Sequence, residues 1–243
     1  MTMFVLEVAA VLTFLLASVK IAVDIGQGVQ AHGSWALAVV VLLPLGYVAA
    51  DLFTGFFHFF ADNFGSERTP ILGPAFIFRF RQHHGDPKLI CRLSFRELNG
   101  SHILCSMPFV IPLALAVPIS TTAWGLALGT FGWSMMFFSV FTNQIHRWAH
   151  DDNPPFWVRP LQRTRILLSA EHHDVHHHLP HDVHFCITNG WLNVQLDRFG
   201  VWHHVADLLI ALGVPQAPES VLGTARRREI AERRAAAGLA QHG

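Results

Sequence analysis

Long apolar runs, rather than short alternation, set the pattern of the first 150 positions. Residues 103–142 hold no Asp, Glu, Lys, Arg or His over forty positions, enough for two crossings at about 20 residues each. Pro118 to Thr122 is the natural turn between them. A second run extends from Trp35 to Phe60 with one charge, Asp51, and a third from Met3 to Val23 carries Glu7 and Lys20. The pattern therefore predicts four transmembrane helices. The first run has no Lys or Arg before residue 20 and no small-residue cleavage site, so it reads as an anchor rather than a removable leader. Residues 199–212 form an amphipathic stretch expected to lie on the membrane surface.

Composition agrees with a lipid environment. Charged residues make up 14% of the chain, against about 25% in ordinary soluble proteins. The formal net charge is zero, which removes the basic excess that nucleic-acid binding requires. No internal repeat or linker divides the 243 residues, so one domain is expected over 1–243, with a core at 35–212 and a cytoplasmic tail at 213–243. Cys91, Cys105 and Cys186 form no C-x-x-C pair and read as reduced structural thiols. Of 17 basic residues, six lie at 62–102, ten after 142 and one at Lys20. The loops near 26–34 and 118–122 have none, so both hydrophilic segments and both termini are expected on the cytoplasmic side. The basic tail from Ala225 to Arg234 reads as a solvated helix end.

Histidine is the unusual residue, as frequent as Lys and Arg together. Twelve of the 17 fall in four places, all expected on one side of the membrane. Asp51, His58 and Asp62 are spaced by seven and then four, which puts them on one helical face. His83 and His84 are adjacent. His146 and His150 form an H-x-x-x-H pair able to aim two imidazoles at one ion. The last cluster, Glu171 to His184, contains the H-x-x-H-H box of His173, His176 and His177 within a richer run that includes His172, His178 and His181.

Eight or more imidazoles with few carboxylates exceed the needs of one zinc and suit a two-metal site, for which iron is an acceptable ion. The zinc-protease H-E-x-x-H and the zinc-deaminase pattern are absent. The expected fold is thus all-α, a multi-pass membrane protein with a cytoplasmic histidine-rich di-metal cap. The expected chemistry is oxygen-dependent oxidation of a membrane-dissolved substrate. Desaturation and hydroxylation remain open on spacing alone, and a zinc-dependent membrane hydrolase or metal-binding scaffold is the rival class.

At these clusters the chain resembles the plasmanylethanolamine desaturase family, which forms the vinyl ether of plasmalogens. The similar stretches are Asp51–Ser66, Pro70–Pro87, Phe95–Gly100, Thr142–His150 and His172–Asn193. A related plant branch, which desaturates palmitate on phosphatidylglycerol, shares the H-x-x-x-H and H-x-x-H-H boxes. His83-His84-Gly85-Asp86-Pro87, Leu98-Asn99-Gly100 and Pro180-His181 followed by Phe185-Cys186-Ile187-Thr188 look nearer to the plasmalogen branch.

The resemblance implies metal ligands at His58, His83, His84, His146, His150, His173, His176, His177 and His181. It also implies site roles for Asp62, which would orient a ligating imidazole or bind metal itself, and for Asn99, which would orient a histidine or hold a water. It further implies two Fe ions and O2 as co-substrate. No flavin, haem, iron–sulfur or nucleotide-loop motif is present, so electrons are expected from a separate protein, cytochrome b5-like or ferredoxin. His184 stands where the family usually has tyrosine, Phe59 where tryptophan is common, and His102 follows Asn-Gly-Ser in place of an acidic-amide pair.

Overall fold

A computed structural model describes residues 2–70, 73–179 and 181–217. The basic tail at 225–234 lies outside the described residues, as do His242 and Pro180. The fold is all-α. Among the described residues there is no strand, and a single bridge pairs Phe64 with Gln216. Four helices are long and apolar enough to cross a membrane: α1 (Thr2–Ala31), α2 (Trp35–Asn63), α4 (Phe95–Ala116) and α5 (Ala123–His150). Five short helices carry the polar segments: α3 (Phe78–Gly85), α6 (Val158–Arg163), α7 (Ala170–His177), α8 (Asn193–Arg198) and α9 (Val201–Ala211).

The long helices run beyond the apolar stretches that announce them. The run expected to end at Phe60 continues to Asn63, and the forty-residue run is lengthened at both ends, back to Phe95 and on to His150. Ser94 and Glu97 explain one of these ends. The Glu97 N–H donates to the Ser94 hydroxyl and the Ser94 N–H donates to the Glu97 carboxylate, a capping box that starts α4 eight residues before the apolar run. The expected turn at Pro118–Thr122 is present, and the Thr122 hydroxyl accepts the Gly125 N–H at 3.1 Å to begin α5.

At 29 residues, α2 is roughly 43 Å long, against about 30 Å of bilayer hydrocarbon. Its last turns, with those of α5, carry His58, Asp62, His146 and His150 on a rigid base. Arg81 fastens the end of α2 by donating to the carbonyls of Ala61 and Phe64, each at 3.0 Å. The two long helices approach closely at Gly46, where an added Cβ would lie 2.6 Å from the Ser134 Cβ and 2.7 Å from the Phe131 carbonyl oxygen. Around α1, α4 and α5 a core of Phe14, Ile21, Ile103, Val110 and Val140 completes the bundle. The Arg96–Glu7 ion pair at 2.7 Å ties the start of α1 to the start of α4. Both ends of the described chain therefore lie on the side of the histidines, because Gln216 pairs with Phe64 at the end of α2.

The tight crossing gives a direct test. Gly46→Ala should lower the stability of the detergent-purified protein by about 1–3 kcal/mol, since backbone and a Cβ stand in the way. Gly26→Ala, where nothing lies within 4 Å, should leave stability equal or slightly higher. Thermal unfolding of both variants checks the contrast.

Candidate metal centre

Two groups of donor atoms form side by side at the ends of α2 and α5. In the first, one ligand atom from each of His83, His146, His150, His173 and His177 lies within 4.8 Å of every other. His58, Asp62, His84 and His176 form the second in the same way. Helix periodicity explains the pairing within each element. His146 and His150 stand one turn apart on α5 with Nε2 atoms 3.2 Å apart, and His173 and His177 repeat the arrangement on α7 at 3.1 Å. Nitrogens bound at about 2.1 Å to one ion lie about 3 Å apart in neighbouring coordination positions. Shared protons cannot satisfy five convergent nitrogens, because five atoms make at most two pairs, whereas a cation satisfies them together.

Backbone carbonyls select the ring nitrogen that faces the second group. His58 Nδ1 donates to the Phe185 carbonyl at 3.0 Å, and His176 Nδ1 donates to the Val183 carbonyl at 2.7 Å. Each imidazole is thereby left with a bare Nε2 pointing inward, and a hydrogen bond at the opposite nitrogen also raises its basicity. Those two Nε2 atoms, His84 Nε2, both Asp62 oxygens and both nitrogens of His83 are buried without a hydrogen-bond partner. So many orphaned polar atoms would be costly unless an ion satisfied them. The residues fit metal binding. Burial, together with neighbouring imidazoles, holds His83, His173, His176 and His177 well below the usual histidine range, in the neutral form that ligation needs.

Asp62 stands on the ligand side of the rings. Its oxygens lie 3.3 Å from His84 Nε2, 3.4 Å from His58 Nε2 and 3.7 Å from His176 Nε2. The carbonyls of Phe185 and Val183 hold the opposite ring nitrogens of His58 and His176. His181 meets His84 edge to face with ring centroids 4.6 Å apart, bonds the His176 carbonyl through Nδ1 at 2.8 Å and falls outside both donor groups. Asn99 is also outside them. It is fully buried on α4, and its amide donates to the Phe95 carbonyl at 3.0 Å.

Asp51 shares the helical face of His58, but its role differs from that of a site ligand. Its carboxylate accepts the N–H groups of Thr188, Asn189 and Gly190 at 2.7, 3.0 and 2.9 Å. This clamp fixes the strand of chain that supplies the Phe185 carbonyl. Asn193, which sequence reasoning missed, holds the same segment by accepting the Cys186 N–H and donating to the Cys186 carbonyl, both at 2.9 Å. Behind the rings, Phe185 and Phe59 pack with Trp202, so the unusual Phe59 stacks on a tryptophan from α9 at 5.1 Å. His184 approaches Asp197 at 3.6 Å and its ring lies tilted 4.7 Å from that of His172, apart from the donor groups, while His178 is exposed.

An apolar cavity of about 460 Å³ opens beside the first group, among α3, α4 and α5. Phe76, Phe80 and Leu98 line it, His102 and Asn143 add polar groups, and His83 and His146 border it. The donor groups thus adjoin space suited to hydrocarbon.

Residues 47–217 match the family described as the lipid desaturase domain. The chain belongs to that family. The match of this desaturase-family chain covers both donor groups. A Myxococcus xanthus protein named plasmanylethanolamine desaturase is 41% identical over 191 residues, 79% of this chain and 66% of the relative. Plasmanylethanolamine desaturase 1 of Mus musculus is 38% identical over 187 residues, 73% of this chain and 68% of the relative. Fatty acid desaturase 4, chloroplastic, of Arabidopsis thaliana is 33% identical over 160 residues, 65% of this chain and 47% of the relative. The chain therefore spans about two thirds of the length of the first two. No solved structure matches it.

The donor groups predict which changes empty the centre. Alanine at His146, His150, His173, His176 or His177 should each lower bound metal per folded chain, and His178→Ala should retain it. Asp62→Asn, which keeps size but loses charge, should weaken metal retention by about 10- to 100-fold. Metal analysis of purified variants decides both.

A pH effect follows from the buried imidazoles. Their folded-state affinity for protons is depressed from the ordinary value of 6.5, so the unfolded chain binds more protons than the folded one as acid is added. The stability of the metal-free protein should be fully present above about pH 6.5 and fall as pH drops below it. Denaturation of chelator-treated protein at a series of pH values measures this, and a flat profile from pH 7 to 5 would refute it.

Proposed function

We propose that the chain is an oxygen-dependent di-iron desaturase that converts the alkyl ether of plasmanylethanolamine to the vinyl ether of a plasmalogen. The observation that carries this reading is the pair of adjacent imidazole-rich donor groups bordering an apolar cavity at the membrane-proximal end of four long helices. Five nitrogens in one group exceed the four ligands usual for zinc and suit an ion of higher coordination. The names of the bacterial and murine relatives support the ether-lipid substrate.

Bound in the two groups, iron would supply the oxygen chemistry that no side chain performs alone. Across the reaction two hydrogens leave adjacent carbons, and O2 takes their two protons and two electrons, with two more electrons from a donor and two protons from solvent, to give two waters. The chain's own contribution is placement. His83 and His146, at the cavity border, set where a hydrocarbon chain meets the centre, while Phe76, Phe80 and Leu98 keep water away from it. The carbonyls of Phe185 and Val183 hold the rings of His58 and His176. In this reading His58, His83, His84, His146, His150, His173, His176 and His177 are the ligands, with Asp62 among them and His181 buttressing His84. Asn99 stiffens the start of α4 beneath the cavity.

A separate donor, cytochrome b5-like or ferredoxin, supplies the extra electrons. Both termini face the cytoplasm, supported by the placement of both described ends on the basic side and the absence of Lys and Arg from the opposite loops. The whole chain works as one domain, with 35–212 as its core.

The test is lipid mass spectrometry of cells with and without the gene, supplied with an alkyl ether lipid. The expected product is two hydrogens lighter and acid-labile, and protein purified without added metal should hold about two irons per chain. A product carrying an added oxygen would make it a hydroxylase, and a double bond confined to acyl chains would make it a fatty-acyl desaturase. Zinc alone with no oxidised lipid would sink the reading.

A further inference from the structure

The chain between α6 and α7 does not stay with the polar segments. Tyr47 lies eleven residues before His58 on α2, about 16 Å along the helix and away from the metal centre. Its hydroxyl donates to the Ile166 carbonyl, and its ring meets Trp191 at 5.7 Å. The Trp191 indole N–H in turn bonds the Arg165 carbonyl. Two residues after Ile166 the chain has climbed back, because the Leu168 N–H bonds the carbonyl of Thr188, whose hydroxyl contacts Thr54 and Thr142. The segment is a descent and return beside α2, with its tip at residues 163–166.

That tip lies beside a helix that exposes apolar side chains toward the surroundings. Leu52, Phe53 and Phe57 are exposed apolar side chains on α2, and all three are nearer the metal end than Tyr47. Around the segment, apolar side chains are exposed beside Arg159, Arg163 and Arg165: Phe156 at 88%, Trp157 at 46%, Ile166 at 45% and Trp191 at 44%. Aromatic side chains with one apolar and one polar end favour the boundary between hydrocarbon and headgroups.

Among these apolar groups is a second cavity, of about 530 Å³, lined by Arg159, Arg163 and Arg165 with Gln162, Ser169 and His172. Glu171 also lines it. Among the described residues none of the three arginines pairs with a carboxylate. Arg159 makes long bonds to the Asp152 carbonyl and the Asn153 amide oxygen, at 3.3 and 3.4 Å. Three guanidinium groups against one carboxylate, at the boundary of a leaflet, call for an anion that the membrane supplies. Guanidinium matches phosphate in shape as well as charge.

We propose that this cavity binds the phosphate of an anionic phospholipid in the leaflet on the metal side. Arg159, Arg163 and Arg165 hold the phosphate, and Ile166 and Trp191 pack against its chains. The site rests on the membrane reading of the four helices and is separate from the cavity beside His83 and His146. An acidic soluble protein would share the charge but not the exposed apolar rim.

The full chain purified with mixed phosphatidylglycerol and phosphatidylcholine, and weighed intact with its bound lipids, tests this. The wild type should retain phosphatidylglycerol in preference. Arg159→Gln/Arg163→Gln/Arg165→Gln should lower that preference at least about tenfold. The same three positions changed to Lys should keep most of it, which separates lost charge from a damaged fold. Inorganic phosphate should leave the lipid in place. An unchanged preference in the Gln variant would overturn the site, as would release by inorganic phosphate. So would a Gln variant that keeps its lipid but loses affinity for an acidic electron carrier, since the face would then be a protein dock. Desaturase activity plays no part in the readout, so failure of the catalytic reading would leave this result standing.

Discussion

The buried carboxylate of Asp51 is the constraint on which the rest of the centre depends. An ionised group inside an apolar bundle is costly unless its lone pairs are filled. Here three consecutive backbone N–H groups fill them. The arrangement settles two difficulties at once, because those N–H groups belong to an irregular segment that would otherwise be buried unpaired. Once that segment is pinned to α2, Phe185 and Cys186 have no freedom. The Phe185 carbonyl then meets His58, and the packing of Phe185 on Phe59 and Trp202 follows. A single charge in the membrane helix thereby determines the order of a loop more than 130 residues away in sequence.

Much of the fold was legible because hydrocarbon imposes a simple rule on composition. Long apolar runs poor in charge located all four long helices, and the turn at Pro118–Thr122 was readable from its residues. The helix ends were not, since Phe95 to His102 and Asn143 to His150 are polar and continue their helices through capping and side-chain packing rather than through apolar content. The histidines at regular helical spacing were equally legible: His146 with His150 and His173 with His177 converge as their four-residue separation implies.

What the sequence hid was the identity of the supporting partners. Backbone carbonyls carry no residue signature, so nothing in the letters marked Phe185 or Val183 as the groups that turn His58 and His176. Asp62 and Asp51 share one face of α2, and spacing alone cannot tell which carboxylate meets imidazole and which meets peptide. Within the last cluster, periodicity separates inward His173, His176 and His177 from exposed His178, but the left-handed backbone at His181 and His184 breaks the pattern beyond the helix. A richer hint lay in the apolar character of Phe156, Trp157 and Ile166 within a segment otherwise read as polar.

The position of the donor groups at the ends of α2 and α5 has a consequence for which carbon of a lipid the proposed reaction would reach. In a membrane these helix ends would lie nearer the glycerol of a lipid than its chain ends. A bond beside the glycerol oxygen is already near that height, whereas a bond in mid-chain would have to be hauled out of the leaflet against the hydrophobic cost of each exposed methylene, about 0.8 kcal/mol. On the proposed function, the placement of the centre at two helix ends would act as a depth gauge and make regioselectivity a matter of elevation.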